Sequence, residues 1–273
     1  VIHRAKAATL LLVDLAAALP TSSATSREQD VRNIERICTL YDAVMLFGSV
    51  ARGDARDGSD VDVLAIAPRS RMVSATGHVS LTVYTEQHLR ALARKGSLFV
   101  CHLRAEGKIL KDRDGVFQRV FDEWHAPDIE RAREGMNAAR AVLDESESER
   151  PDVTSRLRVG LYLLRSVLYL RCLELGEPVF AMGLVAARLG DERIAELYSR
   201  SARTSAEVRL ALVMQLLEAY LPDGRRNPYG TLEALAVNWM TRYPMAADLA
   251  VRILTKDGRV DYAHSPVDWG DLG

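Results

Sequence analysis

At 273 residues, with 48% hydrophobic and 27% charged side chains, the chain can bury one large core or two ordinary ones and sits in the soluble globular range. Its formal net charge is -1; divided at Pro127, it has 17 Lys+Arg against 15 Asp+Glu up to that point and 19 against 22 beyond it. Neither part is a polycation, so an extended nonspecific nucleic-acid surface is not announced, although a local basic patch is compatible with these numbers.

Residues 3–18 are rich in Ala and Leu and contain no Gly or Pro, which predicts a helix. Asp14 interrupts its apolar stretch, Ala7 to Pro20, which is too short to span a bilayer and is followed by no clear cleavage site. The expectation is a cytoplasmic chain with no membrane partner. Ser26 is a candidate cap for a second helix whose Ile34, Ile37, Cys38 and Tyr41 share a face. The short apolar run Ala43 to Phe47, bounded by Asp42 and Gly48, predicts a buried strand. Asp60 to Ile66 alternates and predicts a second strand with its two aspartates on one side, followed by a turn at Pro68. His78 to Tyr84 predicts a third strand, Thr85 the start of a helix, and residues 97–105 another helix. Ile109-Leu110 suggests a short edge strand, and Val116 to Trp124 a helix stopped by Pro127.

Beyond Pro127 strand-like alternation largely disappears. Helical patterns run over 128–144, 153–175, 184–200 and 204–221, with a final set over 231–254 and a polar tail from Tyr262. The expected division is therefore a domain over residues 1–127 and an all-helical domain over 128–273 that would supply an acceptor-binding pocket. Cys38, Cys101 and Cys172 lie far apart in apolar surroundings and read as buried thiols, not as a disulfide framework or a zinc site. His88, His102 and His125 have no metal spacing and read as structural. Arg158, Arg165 and Arg171 recur on a long apolar helix and read as surface salt-bridge partners.

The segment that carries chemistry runs from Leu46 to Val63. A buried strand ends at Gly48, which has no Cβ and lets a phosphate approach the backbone. Ser49 can donate a hydroxyl hydrogen bond, a helix starting there would favour an anion, and Arg52 is a candidate phosphate contact. Asp60 and Asp62, on one face of the next strand, form a carboxylate pair suited to a hard divalent cation, Mg2+ or Mn2+ in its place.

This stretch resembles the DNA polymerase beta-like nucleotidyltransferase superfamily, in its small prokaryotic branch of aminoglycoside and minimal nucleotidyltransferases. Gly48 and Ser49, the ten residues after them, and then Asp60-Val61-Asp62 match the family's signature, with Ala51-Arg52-Gly53 and Ser59 fitting its extended form. The resemblance covers residues 40–111. It implies an α/β domain with a mixed sheet, followed here by the helical bundle. It also implies ATP or another NTP as donor, metal on Asp60 and Asp62, and nucleotide against Gly48, Ser49 and Arg52. Adenylylation of a hydroxyl is the default activity; the acceptor would be a small molecule by preference, or a protein or tRNA, and a homodimer is one assembly open to such a chain. The family also places a third acidic residue on the following strand, as metal ligand and general base. Here Ser80 stands in that position, Thr82 shares its face, and the nearest acid is Glu86. The rival reading is therefore a noncatalytic nucleotide-binding or sensing module. The second part lacks an Arg followed closely by His, so it does not display the ribonuclease motif of the helical toxin domains that often accompany these proteins.

Overall fold

The computed structural model describes residues 24–55, 58–69, 71–144, 152–199 and 204–256. The helix expected over 3–18 and the polar tail lie outside these residues. The chain divides into two compact units, Val1–His125 and Ala126–Gly273.

In the first unit, helix α1 (Ala24–Leu40) leads into strand β1 (Ala43–Phe47), the short helix α2 (Gly48–Arg52) and strand β2 (Val61–Ile66). Strands β3 (Arg71–Thr76) and β4 (Val79–Tyr84) follow, then helices α3 (Glu86–Arg94) and α4 (Leu98–Glu106), strand β5 (Lys108–Asp112) and helix α5 (Val116–Asp122). The sheet order is β3-β4-β2-β1-β5. It is mixed: β2 runs parallel to β4, and β1–β2, β1–β5 and β3–β4 are antiparallel.

The pattern of side chains explains the layering. Val44, Leu46, Val61, Val63, Ala65, Val79 and Val83 form a buried cluster with Ile34 and Ile37 of α1 and Val50 and Ala51 of α2. The alternate residues face the other way, where Phe47 and Tyr84 meet Phe99 of α4. β1 is buried along its whole length because both of its faces are packed, Val44 and Leu46 against the α1 cluster and Phe47 against Phe99. That is why its sequence is a continuous apolar run and not an alternating one. Thr85 caps α3 by accepting the His88 N–H at 3.0 Å, and Ser97 caps α4 through the Phe99 N–H.

Several elements differ from expectation. α1 begins at Ala24, so Ser26 lies inside it and does not cap it. The second and third expected strands begin one residue later than predicted, leaving Asp60 and His78 just outside them. β3 occupies a stretch, beyond the turn at Pro68, for which no element is expected. Its residues, Arg-Met-Val-Ser-Ala-Thr, show no clear alternation, and the strand lies at the sheet edge, where only one neighbour constrains it. Cys101 and Cys172 are buried, but Cys38 is only half-buried.

The second unit is helical throughout its described residues: α6 (Ile129–Ala139) with a 3-10 turn (Arg140–Leu143), α7 (Val153–Glu174), α8 (Met182–Leu189), α9 (Glu192–Ser199), α10 (Ala206–Tyr220), α11 (Leu232–Trp239) and α12 (Pro244–Leu254). Asp128, Asp152, Ser205 and Thr231 each cap the helix that follows by accepting a backbone N–H three residues on. The single helix expected over 184–200 is two, divided at Gly190-Asp191, where Asp191 Oδ1 accepts the Arg193 N–H. α10 packs along α7, whose Leu163, Leu164 and Leu168 are fully buried. Among the described residues no helix is long and apolar enough to cross a membrane.

Candidate functional site

The candidate residues gather where β1 ends and β2 begins. Phe47 pairs with Asp62 across the antiparallel ladder, which sets the Asp62 side chain beside the first residue of α2. That residue is Gly48, in the left-handed region at φ +72. A Cβ there would lie 2.4 Å from Asp62 Oδ2, closer than any side chain permits. The backbone conformation therefore favours glycine, and any Cβ there would displace the Asp62 carboxylate. The result is a carboxylate resting directly against main chain.

α2 is amphipathic over its five residues. Val50 and Ala51 enter the core, while Ser49 stays half-exposed. Gly53 closes the helix, its N–H reaching the carbonyls of Ser49 and Val50. Asp60 is exposed just before β2, and Asp62 is half-buried within it. They are two residues apart in sequence, and only Asp62 lies within the strand.

In the parallel ladder Asp62 pairs with Ser80, and Leu64 with Thr82. Ser80 is thus the neighbour of Asp62, and it carries no charge. Glu86, the nearest acid in sequence, is engaged elsewhere. Arg119 donates to its two oxygens at 2.9 and 3.1 Å, and this bidentate contact holds the Glu86 carboxyl below the usual range. Among the described residues no three His, Cys, Asp or Glu side chains are grouped to hold a metal.

Arg52 sits in a cluster that the sequence did not reveal. Its Nη1 donates to Glu106 Oε2 at 3.0 Å and lies 3.5 Å from His102 Nε2; its Nε contacts Asp54 Oδ1 at 3.2 Å. His102 Nε2 is also 3.0 Å from Glu106 Oε2. Burial works against the charge on Glu106, yet the hydrogen bonds and charges of His102 and Arg52 outweigh it and hold the carboxyl low. Burial likewise opposes the Arg52 charge, and Glu106 and Asp54 reverse that effect. The cluster ties α4 to α2. The only sequence signal for it was the i, i+4 spacing of His102 and Glu106 on a predicted helix.

A second group was also missed. Asp30 of α1, nearly fully buried, accepts from the His78 backbone N–H and lies 3.2 Å from His78 Nδ1.

Residues 32–124, which contain all five strands and every one of these side chains except Asp30, match the family model of the nucleotidyltransferase domain. No curated protein matches the chain. Among solved structures, it is similar to a nucleotidyltransferase-like protein from Exiguobacterium sibiricum, with 17% identity over 84% of this chain and 80% of that one, at a TM-score of 0.29. The family match supports nucleotidyl transfer as the general chemistry of the nucleotidyltransferase domain.

Proposed function

We propose that this protein transfers a nucleoside monophosphate, AMP by default, from a nucleoside triphosphate to a hydroxyl. The observation that carries the reading is the Gly48–Asp62 contact, which joins the two halves of the signature. A donor phosphate would lie against Gly48 and Ser49, with Arg52 available on the same short helix if it yields part of its contact with Asp54. Asp60 and Asp62 would hold Mg2+ or Mn2+. Two carboxylates fit a cation that takes its remaining ligands from triphosphate oxygens and water. When bound, the metal would neutralise triphosphate charge and stabilise the charge that builds on the transferred group.

The helical unit is the proposed acceptor-binding part. It contains a cavity of about 680 Å³ with apolar Leu143, Leu210 and Met214 beside charged Arg156, Glu207 and Asp144. That lining suits a small polar molecule with an apolar face, which keeps a small-molecule acceptor ahead of protein or tRNA. The proposed setting is the cytoplasm, and a homodimer is compatible with it.

A second reading, a nucleotide-binding module without transfer, is favoured by one observation: Ser80 pairs with Asp62 where the family's third acid is expected, and Glu86 is held by Arg119. The test is incubation of the protein with α-labelled nucleoside triphosphates, Mg2+ and fractionated cell extract. Label moving to a carrier supports the enzyme. Saturable nucleotide binding with no labelled carrier in any fraction supports the module. Absence of binding rejects both.

A further inference from the structure

We propose that the helical unit carries a second small-molecule site, for a small organic amine with a hydrocarbon body, in the cleft between α6, α7 and the end of α10. The inference stands on this unit alone and does not depend on the transfer reading.

The cleft has a volume of about 390 Å³, at the lower end of the range for small-molecule sites. It shares no lining residue with the larger cavity of the same unit. Its walls come from three elements. α6 contributes Met136 and Asn137, α7 contributes Val167 and Leu170, and the turn after α10 contributes Leu221 and Asp223. The Arg225 N–H donates to the Asn137 carbonyl at 2.8 Å, and the Gly224 N–H to the Leu221 carbonyl at 3.0 Å. These two bonds pin the turn against α6 beside the cleft.

Met136, Val167, Leu170 and Leu221 are buried and apolar. A hydrocarbon chain is favoured against such walls. A polyhydroxylated molecule would leave hydroxyls there without partners.

The polar atoms decide which head group fits. Arg133 donates to Glu130 and Glu174, and Arg171 donates to Glu174 Oε2 at 2.8 Å. Both guanidinium groups thus already face carboxylates. The Tyr220 hydroxyl donates its proton to Asp191 Oδ2 at 3.1 Å. Acceptors remain. Asn137 Oδ1 is enclosed and, among the described residues, accepts no hydrogen bond. Asp223 adds an exposed carboxylate to the lining.

A buried acceptor without a donor is costly, so the occupant must bring one. A single water takes up only about 30 Å³ and would leave most of the cleft unfilled. A protonated amine brings N–H donors for Asn137 Oδ1 and a positive charge for Asp223, while its hydrocarbon part covers the apolar walls.

The probe is pentylamine, which is protonated at neutral pH as a lysine side chain is. It is titrated into the full chain carrying carbon-13 methyl methionine, and Met136 reports occupancy of the cleft. Met136→Leu identifies its resonance among the seven methionines. The Met136 signal should shift and saturate at one amine per chain. Pentanol, the neutral analogue, should bind at least about tenfold more weakly, because it lacks the charge-assisted hydrogen bonds. Asn137→Leu should weaken amine binding by about tenfold or more, Asp223→Asn by about threefold, and Asn137→Asp should strengthen it by about tenfold. Asn137→Asp and Asp223→Asn keep the side-chain shape, so they decide the matter if Asn137→Leu folds poorly. A Met136 signal that stays still, or drifts with amine concentration without saturating, overturns the proposal. So does pentanol or pentanoate binding as tightly as pentylamine, and so does an Asn137→Asp variant that binds the amine no better than wild type.

Discussion

Asp62 Oδ2 occupies space that a Cβ at position 48 would need: the two points are 2.4 Å apart. The consequence is a site built by backbone approach, in which the proposed metal carboxylate and the proposed phosphate-binding turn share one contact. Gly48→Ala should be costly because of the left-handed φ, and it should also displace the Asp62 carboxylate. A loss of about 1–3 kcal/mol is expected from the backbone conformation alone. It should appear as a fall of several degrees in Tm, together with weaker Mg2+-dependent ATP binding. Unchanged values for both would mean that Asp62 swings aside without consequence.

The metal reading makes a separate demand. Asp60→Ala combined with Asp62→Ala should abolish the Mg2+-dependent part of ATP affinity while leaving the domain folded, since Asp60 is exposed and Asp62 only half-buried. Calorimetric titration of ATP with and without Mg2+ decides this. An equal Mg2+-dependent gain in wild type and the double variant would place the cation elsewhere.

Glu106 gives a prediction in pH. Its folded carboxyl is held below the ordinary 4.5, so its contribution to stability is fully present above that value and is lost as pH falls through the lower folded one. Glu106→Gln should lower stability at neutral pH by about 1–3 kcal/mol, because it removes the charge that Arg52 and His102 face. The difference in Tm between the two proteins should then narrow progressively as pH is lowered below 4.5. A difference that stays constant over that range would show that Glu106 acts through shape and not through charge.

How much of this was legible follows from which interactions are local. The Gly48–Asp62 segment lies in eighteen consecutive residues, so its spacing, flanking strands and carboxylate pair could all be read in line. The Ser80 position was readable too, because a strand of β-branched residues has a period of two and the register needed only one fixed point. Asp30 and His78 are 48 residues apart, and Arg52 and Glu106 are 54 apart. Nothing in local periodicity announces such pairs. Asp30 even sits in the first half of an ordinary amphipathic helix, where a carboxylate reads as surface. β3 was missed for the opposite reason: an edge strand is paired on one side only and leaves little pattern.

Ser80 carries the last prediction. Its partner across the ladder is Asp62, so Ser80→Asp would set two carboxylates on directly paired residues. Like charges in that arrangement repel, and without metal the variant should be less stable than wild type. Added Mg2+ should recover the difference, because a cation between them converts repulsion into coordination. The Mg2+-induced rise in Tm should therefore be larger in Ser80→Asp than in wild type. The same carboxylate would stand where the family places its third acid, so AMP transfer should rise. The decisive comparison is the transfer rate of wild type and Ser80→Asp, with folding and ATP affinity checked for each. A fast wild type that Ser80→Asp abolishes would show that the site lacks nothing at position 80, and that a carboxylate there merely repels Asp62.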